Sequence, residues 1–267
     1  MATPLVFDLE ESQRLVEARG GFLRRFVADF RDRFGLRTAL DAGCGVGYFS
    51  HLLQQMGMRV TAFDARPENV EEARRRHPGI DFHVADVEEL RPQEFGTFDL
   101  VLCFGLLYHL ENPLRAMRRL RVMTGKLLLI ESVCVSGRSP VLYLRDEAQA
   151  EDQALHSVAW YPSQGALVKM AYRAGFPAVY RTTCLPEHED FKGTPGRRPW
   201  RTIVVAPVSP IKDSSLLLVD EPSGRADLWS TDPTGLLKIG RKLQTFMKRP
   251  WAENWARLRR RYGPTGR

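Results

Sequence analysis

The chain has 267 residues, 43% hydrophobic and 27% charged, the values of a globular protein with room for one large core and an appendage. No run of about 18 apolar residues is present to span a bilayer, and no basic, then apolar leader opens the chain. The four cysteines (Cys44, Cys103, Cys134, Cys184) lack C-x-x-C spacing, so we expect reduced thiols in a cytoplasmic protein and no metal site. The formal net charge of +7 is unevenly placed: residues 236–267 carry +9, which leaves −2 for the rest.

In chain order, residues 9–34 read as helical, with apolar positions such as Leu15, Phe22, Phe26 and Phe30 three to four apart. Gly20-Gly21 is expected to break this stretch into two helices. Arg14, Arg19, Arg24 and Arg25 read as a solvated face. Strand 1 is expected near 37–41. It ends in Asp41-Ala42-Gly43-Cys44-Gly45-Val46-Gly47 and runs into a helix over 46–56 with Phe49, Leu52, Leu53 and Met56 on one face. Glycines at every second position make a turn of bare backbone at a helix N-terminus, with a carboxylate beside it. A dinucleotide fingerprint needs glycine at position 48, which is Tyr48, and a phosphate loop needs Lys followed by Ser or Thr. Neither is met. The turn thus carries a carboxylate beside it and neither of these phosphate-binding signatures.

Strand 2, residues 59–63, ends at Asp64, 23 residues beyond Asp41 and positioned to accept bonds from ribose hydroxyls. A helix over 67–77 opens with Pro67. Strand 3, residues 80–84, leads into Asp86-Val87. Strand 4, residues 98–104, is a near-continuous apolar run, as a central parallel strand should be. It is followed by Gly105-Leu106-Leu107-Tyr108-His109-Leu110 at the edge of the sheet where ligands bind. A helix from Pro113 and strand 5 over 125–132 come next. Residues 133–161 interrupt the pattern and are expected to form a lid, with His156, Trp160 and Tyr161 as candidate substrate contacts. A helix near 163–174, a sixth strand near 177–184, a loop over 185–199 and a seventh strand over 200–206 complete the sheet. Residues 215–219 offer a further edge strand.

Asp-x-Gly-x-Gly-x-Gly resembles motif I of the class I S-adenosylmethionine-dependent methyltransferases. The resemblance implies an α/β, Rossmann-like, doubly wound sheet of seven strands in the order 3-2-1-4-5-7-6, strand 7 antiparallel, with helices on both faces. It divides the chain into an N-terminal helical cap (1–35), a catalytic domain (36–208, with 133–161 as lid insertion) and a basic C-terminal extension (209–267), expected to be helical. The implied cofactor is S-adenosyl-L-methionine. Its contacts would be Asp41, Gly43, Cys44, Gly45 and Gly47 at the first turn, Asp64 and Ala65 at the ribose, Asp86 and Val87 at the adenine, and Phe104 at the end of strand 4. His109 and Tyr108 are the candidate catalytic pair, since His is the usual base for a hydroxyl or amine acceptor.

The Gly-Leu-Leu-Tyr-His-Leu run, with Leu129-Ile130-Glu131-Ser132 and Trp160-Tyr161-Pro162-Ser163, is also similar to enzymes that alkylate a tRNA wobble uridine from carboxy-S-adenosylmethionine. The chain departs from them in lacking their long N-terminal extension. The expected function is therefore methyl transfer to O or N of a small molecule (EC 2.1.1.-). An RNA-modifying methyl- or carboxymethyltransferase and a non-catalytic binding domain stand as alternatives. The basic, aromatic tail offers contacts to RNA, protein or an anionic membrane surface.

Overall fold

The computed structural model describes residues 6–135, 137–146, 155, 158–195 and 199–223, all within one compact unit that ends at Ser223. The expected C-terminal extension beyond Ser223 and His156 lie outside the described residues.

After a short 3-10 turn at Val6–Asp8, helix α1 runs without a break over Glu10–Phe34. The two helices expected on either side of Gly20-Gly21 are one. A Cβ at Gly20 would lie 2.7 Å from the Tyr48 hydroxyl. The glycine therefore serves the close approach of α1 to the first turn of the next helix, and packing repays its poor helix propensity. Phe22, Phe26 and Phe30 recur every four residues and are buried. The rings of Phe26 and Phe30 stack at 4.4 Å between centroids. Each such ring contributes roughly 1.5–3 kcal/mol by leaving water. The helix stops at Gly35, in the left-handed conformation, whose amide closes onto the carbonyls of the last turn.

β1 (Thr38–Ala42), α2 (Tyr48–Gln55), β2 (Arg59–Asp64), α3 (Pro67–Arg76) and β3 (Asp81–Val84) form the first half of the sheet. A short helix α4 (Pro92–Phe95), β4 (Phe98–Phe104), α5 (Pro113–Met123) and β5 (Thr124–Val133) follow. The insertion contains the two-stranded antiparallel pair β6 (Leu142–Asp146) and β7 (Val158–Pro162), separate from the main sheet. Then come α6 (Gln164–Arg173), β8 (Tyr180–Thr182), a one-turn helix α7 (Glu189–Lys192), β9 (Arg201–Pro207) and β10 (Leu216–Leu218).

The main sheet has eight strands in the order β10-β8-β9-β5-β4-β1-β2-β3. β1 to β5 are mutually parallel, while β9 is antiparallel to both β5 and β8. The expected order 3-2-1-4-5-7-6 is present, with one strand more: β10 pairs antiparallel with β8 and puts Leu216 into the core. From Leu100 onward, past a register shift that leaves Phe98 on the other side, alternation sorts β4. Leu100, Leu102 and Phe104 face the layer of α1, α2 and α3, and Val101 and Cys103 face that of α5 and α6. With both faces covered, the carboxyl ends of the parallel strands are left as the open edge.

Candidate functional site

At that edge lies a cleft of about 490 Å³, within the usual range for a small-molecule site. Its floor is the turn after β1. The amides of Gly43 and Cys44 both donate to the Phe63 carbonyl at the end of β2, and the Gly47 amide turns back to the Cys44 carbonyl. Gly43, Gly45 and Gly47 have φ of 73°, 52° and 85°, a conformation that strains any side chain. Gly43, Cys44 and Gly45 line the cleft, whereas Gly47 does not: a Cβ there would meet Phe82 and His77 in the layer behind.

Asp41 does not reach the cleft wall either. It is 1% exposed and accepts a 2.6 Å bond from the Ser50 hydroxyl. Burial, only partly offset by that bond, raises its carboxyl to about 6. Asp41 thus acts on the turn from beneath, by bonding the first turn of α2. Cys44 is buried as well, and burial pushes its thiol far above the ordinary value.

Asp64 lines the cleft at the end of β2. Its Oδ2 accepts from the Gly45 amide at 2.9 Å, and its Oδ1 from the Arg66 amide and Asn69 Nδ2. Ala65 stands beside it. Asp86 and Val87 line the next stretch, where Asp86 Oδ1 accepts from the Glu88 amide. Glu88, absent from the sequence reading, is 5% exposed and accepts from the amides of Glu111 and Asn112. It fastens the loop after β4. Phe104 forms the wall at the end of β4.

Tyr108 and His109 sit on a 3-10 turn, Leu107–His109, anchored by Leu107 in the core. Both line the cleft, with ring centroids 4.2 Å apart. The insertion's aromatics do not. Trp160 donates to the Glu111 carbonyl at 3.2 Å, and Tyr161 packs under the Arg145 guanidinium, 5.0 Å from its ring centre. Neither lines the cleft; from the insertion, among the described residues, Leu155 does.

The expected solvated face of α1 is also corrected at one position. Arg19 lines the cleft and bonds Glu131 Oε2 at 3.0 Å. Arg201 on β9 bonds Glu131 Oε1 at 2.9 Å. Glu131 is fully buried. Burial pushes its carboxyl up, but the two guanidinium charges overcome that and hold it below the ordinary value. Glu131 was visible in the sequence as one charge at the end of an apolar strand and as part of the Leu129-Ile130-Glu131-Ser132 run, and nothing there named its partners. The cover over the glycine turn was missed too: the Phe7 ring would meet a Cβ at Gly45 at 2.9 Å, and Asp8 is paired with Arg76. Among the described residues, no group of three or more His, Cys, Asp or Glu is placed to hold a metal ion. Among the same described residues, no helix is long and apolar enough to cross a membrane.

Residues 40–125 match the family model described as a methyltransferase domain. A ubiquinone biosynthesis O-methyltransferase from Xanthomonas oryzae pv. oryzae is 35% identical over 130 residues, 46% of this chain and 54% of that protein. One from Xanthomonas axonopodis pv. citri is 33% identical over the same length. The chain thus spans about half the length of the curated relatives it matches. These relatives are not tRNA carboxymethyltransferases, so the narrower resemblance drawn from the Gly-Leu-Leu-Tyr-His run gains nothing from them. Among solved structures, the N-terminal domain of EvdMO1 with S-adenosylhomocysteine bound superposes with a TM-score of 0.54 at 20% identity, covering 71% of this chain and 81% of that one. Magnesium protoporphyrin IX methyltransferase from Synechocystis PCC 6803 does so with a TM-score of 0.52 at 18% identity, covering 78% and 90%. At these identities the likeness establishes the fold, an α/β Rossmann-like methyltransferase fold.

Proposed function

We propose that this chain is an S-adenosyl-L-methionine-dependent methyltransferase (EC 2.1.1.-) that acts on a small-molecule acceptor through O or N. The observation that carries this reading is the juxtaposition, in one cleft, of the Gly43–Gly45 turn, the Asp64 and Asp86 carboxylates and the Tyr108-His109 turn. The match of residues 40–125 to a methyltransferase domain supports it, as do the O-methyltransferase names of the relatives.

The residues fit the cofactor. The glycine turn offers bare backbone where a Cβ would intrude, Asp64 offers a carboxylate for ribose hydroxyls, and Asp86 with the Val87 amide suits an adenine edge. When bound, the cofactor supplies an electrophilic methyl group on a sulfonium. The protein's part is to hold the acceptor at attack distance, to exclude water and to take up a proton. Phe104, Leu106 and Leu110 give the cleft its apolar wall. His109 orients the acceptor or removes its proton.

Titration calorimetry of the full chain with S-adenosylhomocysteine tests the reading, together with transfer of a labelled methyl group to a panel of phenols and amines. Micromolar binding and transfer that falls at least tenfold in His109→Ala are expected. No binding of S-adenosylhomocysteine would sink the proposal, and unchanged turnover in His109→Ala would remove the base.

A further inference from the structure

The loop after β4 carries Tyr108 and His109, yet the bonds that hold its far end come from another strand end. Glu88 stands two residues beyond Asp86, and its side chain reaches residues 111 and 112. Its Oε2 accepts from the Glu111 amide at 2.9 Å and its Oε1 from the Asn112 amide at 2.7 Å. Both oxygens are thus used on one short stretch of backbone, and the residue is 5% exposed. A buried carboxylate bonded through both oxygens sets position closely, because loosening either bond leaves charge without a donor. Asn112 is also the N-cap of α5, where the helix dipole favours a carboxylate. The bonds therefore fix the point at which the loop becomes helix, three residues beyond His109.

The other end of this tie is as firmly held. The Glu88 amide donates to Asp86 Oδ1 at 2.7 Å, and the amides of Glu89 and Leu90 close onto the Asp86 carbonyl. Arg119 on α5 donates to the Val87 carbonyl at 3.2 Å. Val87 is buried in one apolar cluster with Leu107 and Leu110, the residues on either side of Tyr108-His109. The turn at Asp86-Val87 and the turn at Tyr108-His109 are therefore joined by a carboxylate, through α5 by a guanidinium, and by packing. Asp86, Val87, Tyr108 and His109 all line the cleft, so a ligand that fills it touches both turns.

We infer that Glu88 is a positioning residue that couples the two turns. Cofactor held at Asp86 and Val87 stiffens residues 86–88, and Glu88 carries that stiffening to the turn of Tyr108 and His109. The acceptor side of the cleft is then fully set only with the cofactor in place. The inference rests on the methyltransferase reading and deepens it. Coupling of this kind is reciprocal, so whatever loosens the loop weakens cofactor binding by a comparable factor.

Amide exchange in the full chain, followed by NMR with and without saturating S-adenosylhomocysteine, tests this, with calorimetry for affinity. Saturation of the wild type is expected to slow exchange of the Glu111 and Asn112 amides by about fivefold or more, the lower end of ordinary coupling. In Glu88→Gln one acceptor oxygen becomes an amino group that faces a backbone donor. There the ligand should change those rates by less than about twofold and should bind about fivefold more weakly, or worse. A role confined to capping α5 makes a different forecast: faster exchange in the variant, but the same slowing on saturation as in the wild type. That result would overturn the inference, as would wild-type Glu111 and Asn112 amides indifferent to the ligand. If Glu88→Gln does not fold, Glu88→Asp, which keeps the charge but is one methylene shorter, is read in the same way. Failure of the wild type to bind S-adenosylhomocysteine would overturn the methyltransferase reading and this inference with it. Binding without slowed exchange overturns the inference alone.

Discussion

The two ends of the cleft are built in different ways. The end at β1, β2 and β3 is local: Asp41 bonds Ser50 nine residues on, Asp64 bonds Gly45 nineteen residues back, and Asp86 bonds the amide of Glu88. The end at β4, β5 and β9 is long-range: Arg19 meets Glu131 across 112 residues, and Arg201 meets it across 70. The first end is a repeated solution, a carboxylate closing each strand beside a backbone turn. The second is an ion-paired corner that exists only once distant elements have docked. Proposed cofactor binding belongs to the first end, so changes at the two ends should separate into different observables.

The largest effect is expected at the long-range end. Glu131→Ala leaves two buried guanidinium groups without their carboxylate and should cost about 3–5 kcal/mol. Urea unfolding monitored by fluorescence measures this, and a loss below about 1 kcal/mol would mean that water replaces the carboxylate.

At the local end, Asp41→Asn should act with the opposite sign. The folded protein holds this carboxyl at about 6, above its ordinary value of 3.8, so folding binds a proton more readily than unfolding does. The cost of burying the charge is absent below pH 4, grows between pH 4 and 6, and is complete above 6. The neutral amide avoids it, and stability at pH 7 should rise by up to about 3 kcal/mol. Thermal melts at pH 4 and pH 7 check this. Equal differences between variant and wild type at both pH values would refute the role of ionisation.

Asp64→Ala should leave the corner at Glu131 untouched and weaken S-adenosylhomocysteine by roughly 10- to 100-fold, equivalent to about 1.5–3 kcal/mol for charge-assisted bonds. Calorimetry decides, and an affinity within threefold of wild type would contradict the assignment. Smallest is Trp160→Phe. It removes one partly exposed bond to the Glu111 carbonyl, for about 0.5–1 kcal/mol, and should leave cofactor affinity unchanged. A large loss of affinity would return Trp160 to the ligand contacts.

The same contrast explains what was legible. The glycine turn, Asp64, Asp86 and the Tyr108-His109 loop follow from short-range rules: φ > 0 needs glycine, a strand end needs a cap, and a parallel strand reads as an apolar run. The sheet order came from the family resemblance that these residues carry, not from the short-range rules themselves. Arg19 was read as solvated because helical spacing gives a face but not what lies opposite it. Gly20 was read as a breaker because the Tyr48 hydroxyl that needs its empty side is 28 residues away. β10 lies within the further edge strand offered over 215–219; the apolar run showed the strand but not its partner, β8. Trp160 and Tyr161 were drawn toward the substrate by their chemistry, while in the structure Trp160 bonds the Glu111 carbonyl in the loop after β4 and Tyr161 packs against Arg145.

The Glu131 junction also dates the site in the life of the chain. A central strand holds one oxygen for a helix made at the start and another for a strand made near the end. The glycine turn and both strand-end carboxylates draw only on contacts within residues 41–88. The junction also needs Arg201, because a buried Glu131 with a single guanidinium partner is only half satisfied. This corner of the cleft is therefore the last part of it that a chain made from its N-terminus can complete.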